Sequence, residues 1–151
     1  MSAPGSKARL RLWLRMLRAS RQVEARLRDR LRTEFDTTLP RFDVLAALHR
    51  HPDGLKMSEL SAFLIVSNGN VTGIIDRLVQ DGLVERRAVP GDRRASRVQL
   101  TDQGRSSFAR MADVHEDWIE GMLSGVSAED ALRIAAQLSA ITTENDQRGT
   151  R

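Results

Sequence analysis

A chain of 151 residues with 40% apolar residues is long enough to bury a core of one domain, and it contains no apolar run near 18 residues that would read as a membrane span. It has no cysteine, which excludes disulfides, thiolate metal sites and a thiol nucleophile, and fits a reducing cytoplasm. The net charge of +4 hides an uneven distribution: Lys7 and nine arginines from Arg9 to Arg32 face only Glu24 and Asp29, Arg86 to Arg110 form a second basic block, and Asp113 to Asp146 is acidic.

Met1 to Lys7 is small and polar, without the apolar segment of a signal peptide. From Arg9 to Thr33 there is no Gly or Pro, and Leu10, Trp13, Leu14, Leu17, Leu27 and Leu31 recur at three- and four-residue spacing. That pattern predicts a long amphipathic helix. Pro40 suits a first helical position, and Phe42, Leu45 and Leu48 continue as an apolar stripe ending near His51-Pro52. Asp53-Gly54 reads as a turn and Leu55 to Met57 as a minimal strand.

Ser58 is a candidate N-cap for a helix of about two turns carrying Leu60, Phe63 and Leu64. Ser67 reads as a second N-cap, followed by Val71, Ile74, Ile75 and Leu78 at i, i+3, i+4 and i+7. Gly82 closes that helix, with Leu83 placed for a Schellman contact. Two helices joined in this way predict a helix-turn-helix. The polar side of the second helix offers Ser67, Asn68, Asn70, Thr72, Gly73 and Arg77, small or hydrogen-bonding groups suited to base edges and phosphates.

Leu83 to Val89 and Arg97 to Thr101 then read as two strands around the tip "VPGDRRASRV". Beside a helix-turn-helix this hairpin is a wing, with Arg86, Arg93 and Arg94 as its DNA-facing cations. Neighbouring arginines repel in water but are stabilised in the negative potential of a narrow minor groove. The competing reading of the tip is an ordinary solvated turn. Thr101 caps a helix with Phe108, Met111, His115 and Trp118. Gly125 ends it, and Ser127 to Asp130 resembles a capping box opening a last helix with Leu132, Leu138 and Ile141. The fold class is therefore mainly α with a small β-hairpin wing: a winged helix-turn-helix core flanked by N- and C-terminal helices.

The run "LPRFDVLAAL", then "MSELSAFLIVSNGNVTGIIDRLVQDGLVER" and "VPGDRRASRVQLTDQGR", resembles the MarR family of bacterial transcription regulators. The resemblance implies one domain over 1–151, with helices at about 8–35 and 102–145 for dimerisation and a winged region at about 39–101. It implies a homodimer on the successive major grooves of a pseudo-palindromic duplex, acting as a repressor. It also implies that Arg94 enters the minor groove and that Asp92 orients a neighbouring arginine. Where many relatives carry a basic residue, this chain has Gly73. The family commonly binds a small ligand, here expected to be anionic, an aromatic carboxylate or aromatic acyl-CoA. Trp13, Arg18, His49, Phe108 and Met111 are the pocket candidates by helix position. Against this stands the reading that the arginine-rich first helix is merely solvated.

No cofactor is expected, because His49, His51 and His115 lack zinc-ligand spacing and there is no phosphate loop or nucleophile elbow. An enzyme is therefore disfavoured. The competing functions are a winged-helix protein-interaction module and a sequence-tolerant DNA binder.

Overall fold

A computed structural model describes residues 5–64 and 70–148, with the Arg93 side chain outside that description. The elements run α1 (Ser6–Phe35), α2 (Leu39–His49), β1 (Leu55–Lys56), α3 (Met57–Phe63), α4 (Val71–Gln80), β2 (Val84–Val89), β3 (Asp92–Leu100), α5 (Asp102–Met122) and α6 (Ala128–Arg148). The strands form one antiparallel sheet in the order β1-β3-β2. The expected fold class holds, and the minimal strand at Leu55 joins the hairpin through Leu55↔Val98 and Lys56↔Arg97.

The winged core is apolar. Val44, Leu45, Leu48, Leu60, Ile75, Leu78, Val84 and Val98 are fully buried, drawn from α2, α3, α4, β2 and β3. These are the apolar positions of each amphipathic period, so one core satisfies all five elements. The chain's contacts divide inside α5, between Glu116 and Asp117. In the first unit, Phe42 packs against Phe108 and stacks on His115 at a centroid distance of 4.7 Å.

Local signals decide where α2, α4 and α5 begin or end. Thr38 accepts a bond from the Arg41 amide at 3.3 Å, opening α2. Thr101 Oγ1 accepts the Gly104 amide at 3.0 Å, as expected for the cap of α5. The Leu83 amide reaches Leu78 O and the Gly82 amide reaches Val79 O, each at 3.0 Å, which is the Schellman pair expected at the end of α4.

Two expected N-caps are corrected. α3 starts at Met57 rather than after Ser58, and the Glu59 carboxylate accepts the Lys56 amide at 3.2 Å. α4 starts at Val71 and is capped by Asn70, not by Ser67, which lies outside the described residues. The second wing strand begins at Asp92 instead of Arg97, because β2 pairs with it from the turn onward.

Candidate nucleic-acid interface

α4 presents its apolar stripe to the core and leaves Thr72, Asp76 and Arg77 exposed. Its first turn is organised by Asn70, whose Oδ1 accepts the Gly73 amide at 3.0 Å. Gly73 leaves room for the Asn70 amide in the position it takes. A Cβ there would lie 2.8 Å from Asn70 Nδ2 and 3.1 Å from its Cγ, so any larger residue would push the capping amide aside. Gly73 is the third residue of α4, and a cap of this kind contributes about 1 kcal/mol. Ser67 and Asn68 lie outside the described residues.

The wing turns at Pro90-Gly91, where Gly91 has φ +81, a left-handed conformation that favours glycine. Directly after it, the Asp92 carboxylate accepts the Arg94 backbone amide at 3.0 Å. Asp92 therefore braces the chain that carries Arg94. Glu85 holds Arg87 through Nε at 3.1 Å and Nη2 at 2.8 Å, and accepts Gln99 Nε2 at 3.0 Å. The Gln99 and then the Arg87 hydrogen bonds keep the Glu85 carboxyl below its ordinary value. Arg97 donates to Gly54 O at 3.0 Å. Arg86 pairs with Asp76 across to α4.

The wing strands thus carry two kinds of arginine. Arg86, Arg87 and Arg97 are engaged by protein acceptors, whereas the exposed Arg94 guanidinium has no carboxylate partner among the described residues. Sequence reasoning could not sort these arginines, because Asp76 lies ten residues from Arg86 and Gly54 lies 43 from Arg97.

The pocket candidates separate. Met111 is buried and lines a cavity of about 550 Å³ together with Phe35, Thr38, Arg41, Arg77 and Asp81. Trp13 and Arg18 do not line that cavity; Trp13 is exposed, and Arg18 sits in a groove made by α1 residues alone. His49 packs on Phe108 at 4.9 Å, as part of the aromatic cluster with Phe42. Burial there pulls the His115 imidazole below its ordinary value.

Arg41 was not singled out from the sequence. It pairs with Asp81 at the end of α4, and its Nε is buried with no hydrogen-bond partner among the described residues. Only an exposed-looking arginine after Pro40 was visible in the sequence. Among the described residues no His, Cys, Asp and Glu group could hold a metal ion, and no helix is long and apolar enough to cross a membrane.

A short helix, a second helix with a polar outer face, and a three-stranded wing whose exposed Arg94 has no carboxylate partner among the described residues make up a winged helix-turn-helix. The profile of the MarR family matches residues 35–95. The chain is 34% identical to a MarR family transcriptional regulator from Silicibacter pomeroyi, with TM-score 0.78, covering 95% of this chain and 99% of that one. It is 30% identical over 115 residues to the HTH-type transcriptional regulator PecS of Dickeya dadantii, covering 75% of this chain and 69% of PecS. The chain belongs to the MarR family of transcriptional regulators. A mutant MarR from E. coli, complexed with operator DNA, shares the fold at 24% identity and TM-score 0.75, covering 93% of this chain and 99% of that one.

Proposed function

We propose that this protein is a cytoplasmic homodimeric repressor that binds a pseudo-palindromic operator and is released by a small anionic ligand. The winged region at about 39–101 meets the duplex; the helices at about 8–35 and 102–145 join two copies. The observation that carries the DNA reading is the exposed guanidinium of Arg94 at the wing tip, without a carboxylate partner among the described residues, together with a helix whose N-terminal face is small and polar. Such a cation is stabilised by phosphate or by a narrow minor groove. A protein-interaction module has no need of it. That a protein of the same fold, the E. coli MarR mutant, is found in complex with operator DNA supports the DNA reading.

Dimerisation is supported by apolar side chains left in solvent. Leu10, Trp13 and Leu14 on α1 are 57%, 53% and 54% exposed, and Leu132 on α6 is 75% exposed. A ligand is supported by the cavity around Arg41, whose buried Nε has no acceptor among the described residues. A carboxylate entering there would supply one and would compete with Asp81 at the end of α4. Benzoate and benzoyl-CoA are the probes of choice for that site.

The test of DNA binding is fluorescence anisotropy with duplex DNA at increasing salt. If the dimer neutralises roughly 6 to 10 phosphates, affinity falls about a thousandfold or more between 50 and 200 mM salt. A slope near zero overturns the reading.

A further inference from the structure

Asp76 is an acid on the exposed side of a helix meant to face phosphates. It lies one turn beyond Thr72, on the same side of α4, and its side chain is 51% exposed. An isolated carboxylate in that place repels the duplex. Its partner is dictated by strand geometry. Side chains alternate along β2, so Arg86 leaves the strand on the same side as the buried Val84, two residues earlier. β2 packs against α4. The alternation aims Arg86 at the helix, and the helical repeat sets Asp76 in its path, where Arg86 Nη2 donates to Asp76 Oδ1.

We infer that Asp76 and Arg86 form a charge-neutral strut between recognition helix and wing, in which Arg86 is a positioning residue rather than a phosphate contact. The inference rests on the DNA-binding reading above. Arg86 cancels the Asp76 carboxylate and ties the hairpin to α4, so that helix and wing meet the duplex as one unit. An exposed pair adds little to folding stability. Its effect is felt when DNA arrives, and it has a sign. Loss of the arginine exposes an anion to the phosphates; loss of the acid releases a cation toward them.

The experiment uses the full chain, a duplex selected from a random-sequence library by the wild-type protein, and a scrambled version of it. Arg86→Gln is expected to lose roughly tenfold or more on both duplexes. The double variant Asp76→Asn with Arg86→Gln is expected to recover most of that loss. Its log affinity against log salt should keep the wild-type slope to within about half a unit, because no phosphate contact has been removed. Asp76→Asn alone should raise affinity for the scrambled duplex several-fold and steepen the slope by up to about 2 for two protomers, as freed arginines find phosphates.

A double variant as weak as Arg86→Gln, with a slope shallower by about 2, makes Arg86 a phosphate contact and overturns the inference while leaving DNA binding intact. An Asp76→Asn slope equal to wild type overturns it as well. A wild-type protein that selects no duplex overturns the DNA reading and this inference together. Melting curves should nearly coincide for all variants. If Arg86→Gln misfolds, Asp76→Asn still decides the matter, because it retains the arginine.

Discussion

The winged core and the two outer helices are built from the same kind of amphipathic helix, yet their apolar faces meet different fates. In the core, Leu48 of α2 is 1% exposed, and Ile75 and Leu78 of α4 are wholly covered by elements of the same chain. At the start of α1 and along α6, residues of equal hydrophobicity stand in water: Leu14 is 54% exposed, Ile134 45% and Ile141 43%. α6 contributes no buried residue. Within each of these helices the exposed apolar residues recur at helical spacing, as on a face that takes a partner. The difference teaches that one chain covers the apolar faces of its winged core by itself and leaves those at the start of α1 and along α6 uncovered.

The sharpest way to break this comparison is to alter leucines on each side of it. Leu48→Ala removes a fully packed side chain and is expected to cost 2–5 kcal/mol, roughly, in denaturant unfolding. Leu132→Glu is expected to leave the winged core folded by circular dichroism while moving the protein toward monomer in sedimentation at micromolar concentration. A Leu132→Glu protein as associated as wild type would take α6 out of the interface.

The next contrast lies within the wing. Arg94→Ala is expected to weaken operator and scrambled duplexes together by about tenfold, since the minor-groove contact proposed for it would read shape and potential rather than base identity. Arg87→Ala, whose guanidinium is already held by Glu85, should change either affinity by less than about threefold. Equal losses for the two arginines would mean that Arg94 is ordinary solvated charge.

A smaller effect is expected at Asn70. Asn70→Ala should cost about 1 kcal/mol of stability through the lost cap, and Asn70→Ser should restore it. If Asn70→Ser keeps the stability but loses about 1–3 kcal/mol on the operator alone, then Asn70 also reads a base edge.

The smallest effect is titration of His115. Burial against Phe42 lowers its pKa from the ordinary 6.5, so the folded protein prefers the neutral ring and the unfolded chain binds protons first. Its contribution is whole above 6.5 and is lost as the pH falls through the lowered folded value. His115→Phe should flatten the acid side of the stability profile. An unchanged profile would show that the ring titrates as it does in the unfolded chain.

The sequence by itself determined what depends on neighbours a few residues apart. The i, i+3, i+4 stripe from Val71 to Leu78 specified α4, Gly82 and Leu83 specified its Schellman end, and Thr101 specified the start of α5. Pro90-Gly91 located the wing tip. These follow from periodicity and from local hydrogen bonds, which any chain with those residues can form.

Only the tertiary structure decided among equivalent local options. Ser58 and Ser67 are as good caps as any, but helix starts shifted to Met57 and Val71, where Leu60 and Ile75 reach the common core. The wing's second strand grew to Asp92 because β2 supplied partners along its length. Which arginine is bare and which is bound rests on pairs such as Arg41 with Asp81, 40 residues away. The apolar stripe of α1 gave no sign of where cover would stop, yet Leu27 and Leu31 are buried and Leu10 is not. Periodicity says which side of an element is apolar; what lies against that side is a matter of chain packing, which local spacing does not encode.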